Sequence, residues 1–110
     1  MNVIFNNVDK LLTFELTEEI DHHTTEKIRR RADYEIQRYM PRKVIFDFDS
    51  ISFMDSAGIG MIIGRYKLIS MLGGTLEIKN TRNNIAKILE MSGVTKILSI
   101  TPKELNKQAN

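Results

Sequence analysis

The 110-residue chain has no cysteine, no tryptophan, only two prolines and only two histidines. Without cysteine, disulfides and thiolate zinc sites are excluded. No apolar run approaches the length needed to span a bilayer, and the N-terminus has no basic segment followed by a long apolar stretch, so a cytoplasmic protein with no membrane partner is expected. The net charge is only +2. That is too weak an excess to mark nucleic acid as a partner.

The charge is unevenly spread. Residues 1–55 hold 8 basic and 11 acidic residues, and residues 56–110 hold 8 basic and 3 acidic. Glu18, Glu19, Asp21, Asp47, Asp49 and Asp55 fall where strands are expected to end, which in an α/β domain places them along one edge of the sheet.

Asn2–Phe5 and Leu11–Leu16 read as strands joined by the Asn6-Asn7-Val8-Asp9 turn, with Leu12, Phe14 and Leu16 alternating with wetter positions. Asp21 stands as the N-cap of a helix in which Ile28, Ala32, Ile36 and Tyr39 recur at helical spacing until Pro41. The Arg29-Arg30-Arg31 run points three ways around that helix and makes no single patch. Val44-Ile45-Phe46 lacks alternation, as expected of a strand covered on both faces.

A helix then starts at Ser56, carries Ile59, Ile62, Ile63, Tyr66 and Ile69 on an apolar stripe, and stops at Gly73-Gly74. Leu76 and Ile78 mark a strand before an Asn80-Thr81 turn. Ile85, Ile88 and Leu89 mark a helix ended by Ser92-Gly93, and Val94–Ile100 holds a last strand. Thr101-Pro102-Lys103-Glu104 has the pattern of a fourth, short helix start. The order β-β-α-β-α-β-α-β-α predicts an α/β fold in one domain over residues 1–110, a mostly parallel sheet of four to five strands with an N-terminal hairpin and about four helices.

The candidate chemistry concentrates between Ser50 and Tyr66. Asp55 and Ser56 are suited to accept from free N–H groups at a helix start, while Ala57, Gly58, Gly60 and Gly64 strip the first turns of bulk. Each glycine costs about 1 kcal/mol in a helix relative to alanine, so close approach to this backbone is implied. Ser56 lacks the Gly-x-Ser-x-Gly setting of a strained nucleophile, and the glycine spacing fits neither a dinucleotide loop nor a lysine-bearing phosphate loop. Asp47-x-Asp49 after an apolar strand is similar to the first motif of magnesium-dependent phosphatases, but the later acidic pair such a site needs is missing. His22-His23 has no third ligand nearby, so no metal and no cofactor is expected. Ser56 therefore reads as a helix cap or as a phosphorylatable hydroxyl displayed at a helix start.

Asp21-His22-His23-Thr24, Ser52-Phe53-Met54-Asp55-Ser56 with Gly58 and Gly60, Gly64-Arg65-Tyr66-Lys67, and Met91-Ser92-Gly93 together resemble the anti-sigma factor antagonists of the STAS-domain family, in order over nearly the whole chain. Two positions depart from that pattern: Glu18 stands where glycine is common, and Ala57 replaces a serine common after the phosphoacceptor. The second leaves Ser56 as the matching hydroxyl. The resemblance implies the STAS fold and a non-enzymatic switch in sporulation transcription. The unphosphorylated form would bind an anti-sigma factor that is also a serine kinase and release its sigma factor, phosphorylation of Ser56 would end binding, and a serine phosphatase would reset it. Asp21, His22, Asp55, Ala57, Gly58, Ile59, Gly60 and Met61 are the expected partner-binding residues. Arg65 is expected in solvent, within reach of an acidic partner group. The same serine in a stress-response partner-switching complex is the alternative, and a small phosphatase using Asp47 is the third.

Overall fold

The computed structural model describes residues 1–104. Its elements run β1 (Asn2–Asn6), β2 (Leu11–Glu15), α1 (Thr25–Tyr39), β3 (Lys43–Asp47), α2 (Ser56–Met71), β4 (Thr75–Thr81), α3 (Asn83–Ser92), a 3-10 turn (Val94–Lys96) and β5 (Ser99–Pro102). The five strands lie in sequence order in one sheet, β1 antiparallel to β2 and the others parallel. No described helix is long and apolar enough to cross a membrane.

Strand order that never reverses has a direct consequence. β-α-β crossovers are right-handed as a rule, and three such crossovers advancing in one direction place α1, α2 and α3 on the same face of the sheet, where their apolar residues share one core. Leu12, Val44 and Leu76 align in one row on that face and Phe14, Phe46 and Ile78 in the next. All six join Ile28, Ala32, Ile36, Ile62, Ile69, Ile85 and Leu89 in one core. Among the described residues the opposite face carries no helix, which corrects the expectation that β3 is covered on both sides. Ile45 belongs to that bare face and lies outside the core, yet it is only 7 % exposed. It sits in register between Thr13 and Glu77, and the Lys43–Glu77 ion pair at 2.7 Å lies beside it. Side chains of the neighbouring strands shield it where a second helical layer would otherwise be needed.

Three local expectations also give way. Thr101 and Pro102 end β5 instead of starting a helix, because the ladder continues through Lys103 N–H to Thr81 O at 2.8 Å; anything after Glu104 lies outside the described residues. Val94–Lys96 is a 3-10 turn, so the last strand starts only at Ser99. Asn80-Thr81 is not a turn but the end of β4, with a register irregularity between Lys79 and Thr81, and Asn80 takes the left-handed conformation that asparagine tolerates better than most residues. The opening hairpin and the ends of α1 and α2 fall within a residue or two of their expected places, and Met40, at φ 46°, closes α1 through its N–H to Ile36 O at 2.9 Å.

Phe46 pairs with Phe14 at a 5.3 Å ring separation and is fully buried. Phe46→Ala should cost about 3–5 kcal/mol in urea unfolding, whereas Val8→Ala in the exposed hairpin turn should stay within about 0.5 kcal/mol.

Candidate functional site

The site is built where two loops, β2–α1 and β3–α2, leave the same end of the sheet and run side by side. Ile20 and Met54 form an isolated parallel bridge, with Ile20 N–H donating to Phe53 O at 3.2 Å and Asp55 N–H to Ile20 O at 3.0 Å. Side chains reinforce the seam. The Glu19 carboxylate accepts from the Ser52 hydroxyl at 2.6 Å and from Ser52 N–H at 3.1 Å, and Asp55 Oδ2 accepts from His22 N–H at 3.3 Å.

Asp55 works in two directions. Its backbone is extended, and its Oδ1 accepts from Ala57 N–H at 2.9 Å, making it the N-cap of α2. Its other oxygen ties α2 to the preceding loop through His22, whose ring nitrogen lies 3.9 Å away. Ser56 follows as the first helical residue and is exposed. Its hydroxyl therefore stands at the positive end of a 16-residue helix, on a backbone held from both sides.

Asp21 is not the N-cap of α1. It closes a turn four residues earlier, accepting from His23 N–H at 2.8 Å and Thr24 N–H at 3.0 Å, so both histidines stand before the helix, their rings tilted at 40° with centroids 3.9 Å apart. Desolvation pushes the Asp21 carboxyl up, but the Thr24 and His23 N–H groups outweigh it and hold it below the usual aspartate range. The acidic edge expected from the sequence is thus largely occupied in bracing. Asp47 Oδ1 accepts from Asp49 N–H and Asn80 Nδ2, and Asp49 pairs with Lys103 at 2.9 Å.

The small residues divide into two kinds. A Cβ on Gly58 would fall 2.5 Å from Met54 Cγ and 2.8 Å from Ile20 Cγ2, whereas one on Gly60 or Gly64 would meet nothing within 4 Å. Gly58 is therefore required by the seam beneath it, not bared to a partner, and only Ala57, Gly60 and Gly64 open outward. Met61 is largely buried in the core while one side of it lines the groove between α1 and α2, and Ile59 is half-buried against the core.

Ala57, Gly60 and Gly64 on α2, with Glu26 and Arg29 on α1, line a shallow groove of ≈ 330 Å³ beside Ser56. Under it Arg65 is buried, 2.6 Å from Asp33 of α1, and donates to Met61 O at 3.2 Å, correcting the expectation of a solvated cation. Burial pushes the Arg65 guanidinium below its usual value, and Asp33 opposes that shift.

Four participants were given no part in the site by sequence reasoning. Phe53 is 52 % exposed at the crest of the seam, a large aromatic among polar loop residues, and that contrast is its only local signal. Glu19 and Ser52 form a brace between residues 33 apart, which only strand adjacency makes visible. Arg29 joins the groove while pairing with Glu26 at 2.6 Å.

A STAS domain family model matches residues 2–106. The chain belongs to the STAS domain family. The anti-sigma F factor antagonist of Paenibacillus polymyxa is 38 % identical to this STAS protein over 96 residues, covering 87 % of this chain and 82 % of that protein. The solved anti-sigma factor antagonist SpoIIAA in its unphosphorylated form is 25 % identical with a TM-score of 0.75, covering 98 % of this chain and 92 % of that one. The Bacillus cell fate determinant SpoIIAA in its phosphorylated form has a TM-score of 0.67 at the same identity, covering 98 % and 96 %.

Gly58 and Gly60 separate packing from presentation. Gly58→Ala should lower stability by about 1–3 kcal/mol through overpacking against Met54, and Gly60→Ala should raise it by about 0.5–1 kcal/mol. Paired denaturant titrations read both signs.

Proposed function

We propose that this chain is an anti-sigma factor antagonist that acts in the cytoplasm as a substrate and a ligand rather than as an enzyme. Unphosphorylated, it docks on an anti-sigma factor through the exposed start of α2, and the sigma factor is released. The observation that carries this reading is the exposed Ser56 hydroxyl, one residue beyond the Asp55 cap, on a braced helix start whose outward positions are Ala57, Gly60 and Gly64. The names of its relatives support the same reading.

The partner kinase supplies ATP, magnesium and the base. Ser56 Oγ attacks the γ-phosphorus, its proton passes to the partner's base, and ADP leaves. A substrate for such a step needs an accessible hydroxyl on a backbone free of bulky neighbours, and Ser56 has both. Phosphate adds about −1.5 to −2 charge at pH 7. At a helix N-terminus that charge is favoured by the dipole and the free N–H groups, so the fold persists. The half-buried Asp55 carboxylate beside it raises the negative potential on the docking face, and repulsion and bulk together end binding. A serine phosphatase restores the hydroxyl.

Incubation with ATP, magnesium and purified anti-sigma kinases, followed by peptide mass spectrometry, tests the assignment. Phosphate should appear on Ser56 and be absent from Ser56→Ala. A sporulation-type kinase acting alone supports a role in sporulation, and a stress-response kinase acting alone would replace that with a role in a stress-response complex. Phosphorylation of Ser56→Ala at the parental rate would overturn the reading. The phosphorylated protein should bind the kinase at least about 100-fold more weakly, close to 3 kcal/mol, by calorimetry.

A further inference from the structure

The two edges of the sheet are treated differently. β5 is guarded by Pro102, which has no N–H to offer, and by the irregular register where it meets β4. β1 has no such device. Its five residues, Asn2-Val3-Ile4-Phe5-Asn6, carry no charge and no proline, pair regularly with β2, and have no backbone partner on their other side among the described residues. An unguarded edge of this kind is a template for another strand.

The strand is also self-complementary. Antiparallel pairing of β1 with a second β1 about Ile4 sets Asn2 opposite Asn6, Val3 opposite Phe5, and Ile4 opposite its own copy. Opposed residues in such a pair point to the same face. Val3 and Phe5, half-buried on the helical face where Phe5 stacks on Tyr39 at 4.2 Å, would meet each other's copies. Ile4, 51 % exposed on the helix-free face, would meet Ile4. The strand carries no charged residue, so no like charges oppose one another across the axis in this register.

We propose that β1 is a homodimerisation edge, joining two copies of this chain through a two-fold axis at Ile4 into a continuous ten-stranded sheet with all helices on one side. A closed two-fold interface requires this kind of self-matching patch. A five-residue strand is only about 17 Å long. Its pairing buries well under the roughly 1,000 Å² of a stable interface, so the dimer is weak and concentration-dependent.

The absence of native cysteine makes the test direct. Residues facing each other across an antiparallel pair have Cα atoms about 4.5–5.5 Å apart, within disulfide reach. Under mild oxidation at high protein concentration, Ile4→Cys should form a covalent dimer at least about tenfold faster than Val8→Cys, which is 88 % exposed in the adjoining turn and reports random collision. A mixture of Asn2→Cys and Asn6→Cys should cross-link faster than either variant alone. In sedimentation equilibrium the parent should self-associate and Ile4→Lys, folded by circular dichroism, should not. Cross-linking of Ile4→Cys no faster than Val8→Cys, or a parent that stays monomeric at millimolar concentration, would overturn the proposal.

Discussion

The presentation of Ser56 depends on the seam between the β2–α1 and β3–α2 loops. Loop backbone at the end of a sheet has few obligatory partners, and an unsupported helix start would fray. Here the parallel ladder is prolonged past the strands through Ile20 and Met54, and the side chains of Glu19, Ser52 and Asp55 complete it, Asp55 accepting from the His22 N–H. The helix start inherits its position from that seam. Asp55 couples the two, because one carboxylate caps α2 and holds the neighbouring loop.

The topology explains why the region beside Ser56 is an open surface instead of a deep crevice. In doubly wound sheets a ligand crevice opens where strand order reverses and adjacent loops part to opposite faces. Strand order here runs β1 to β5 without reversal, so neighbouring loops turn to the same side and close on each other. Beside Ser56 lies a shallow groove with small residues on α2 and a charged pair on α1. The buried Arg65–Asp33 contact joins those helices beneath it. Such an open groove leaves the start of α2 accessible to a larger partner.

Much of this was legible in the residues. The spacing of Ile28, Ala32 and Ile36 marks α1, and the Asp55-Ser56 pair before a long apolar stretch marks the start of α2. What sequence could not reveal depends on contacts far along the chain. Gly58 and Gly60 are two residues apart and locally alike, yet only the phase of α2 over Met54 and Ile20 makes one indispensable and leaves the other free. Val44-Ile45-Phe46 suggested burial on two faces, while Ile45 is shielded by side chains of neighbouring strands instead of a helix. Thr101–Glu104 satisfies the local pattern of a helix start, but pairing with β4 claims that backbone first. Arg65 belongs to a run that looks solvated, and its burial is decided by Asp33 on another helix.

If the seam holds the helix start against the added charge, phosphorylation changes a surface and leaves the fold in place. The most direct measurement is the amide proton–nitrogen NMR spectrum of the protein before and after phosphorylation of Ser56. Shift changes confined to residues 19–24 and 52–61, with the resonances of β1 to β5 and the Phe14–Phe46 core unmoved, are the predicted result. Widespread shifts across the sheet, or loss of dispersion throughout, would contradict the account.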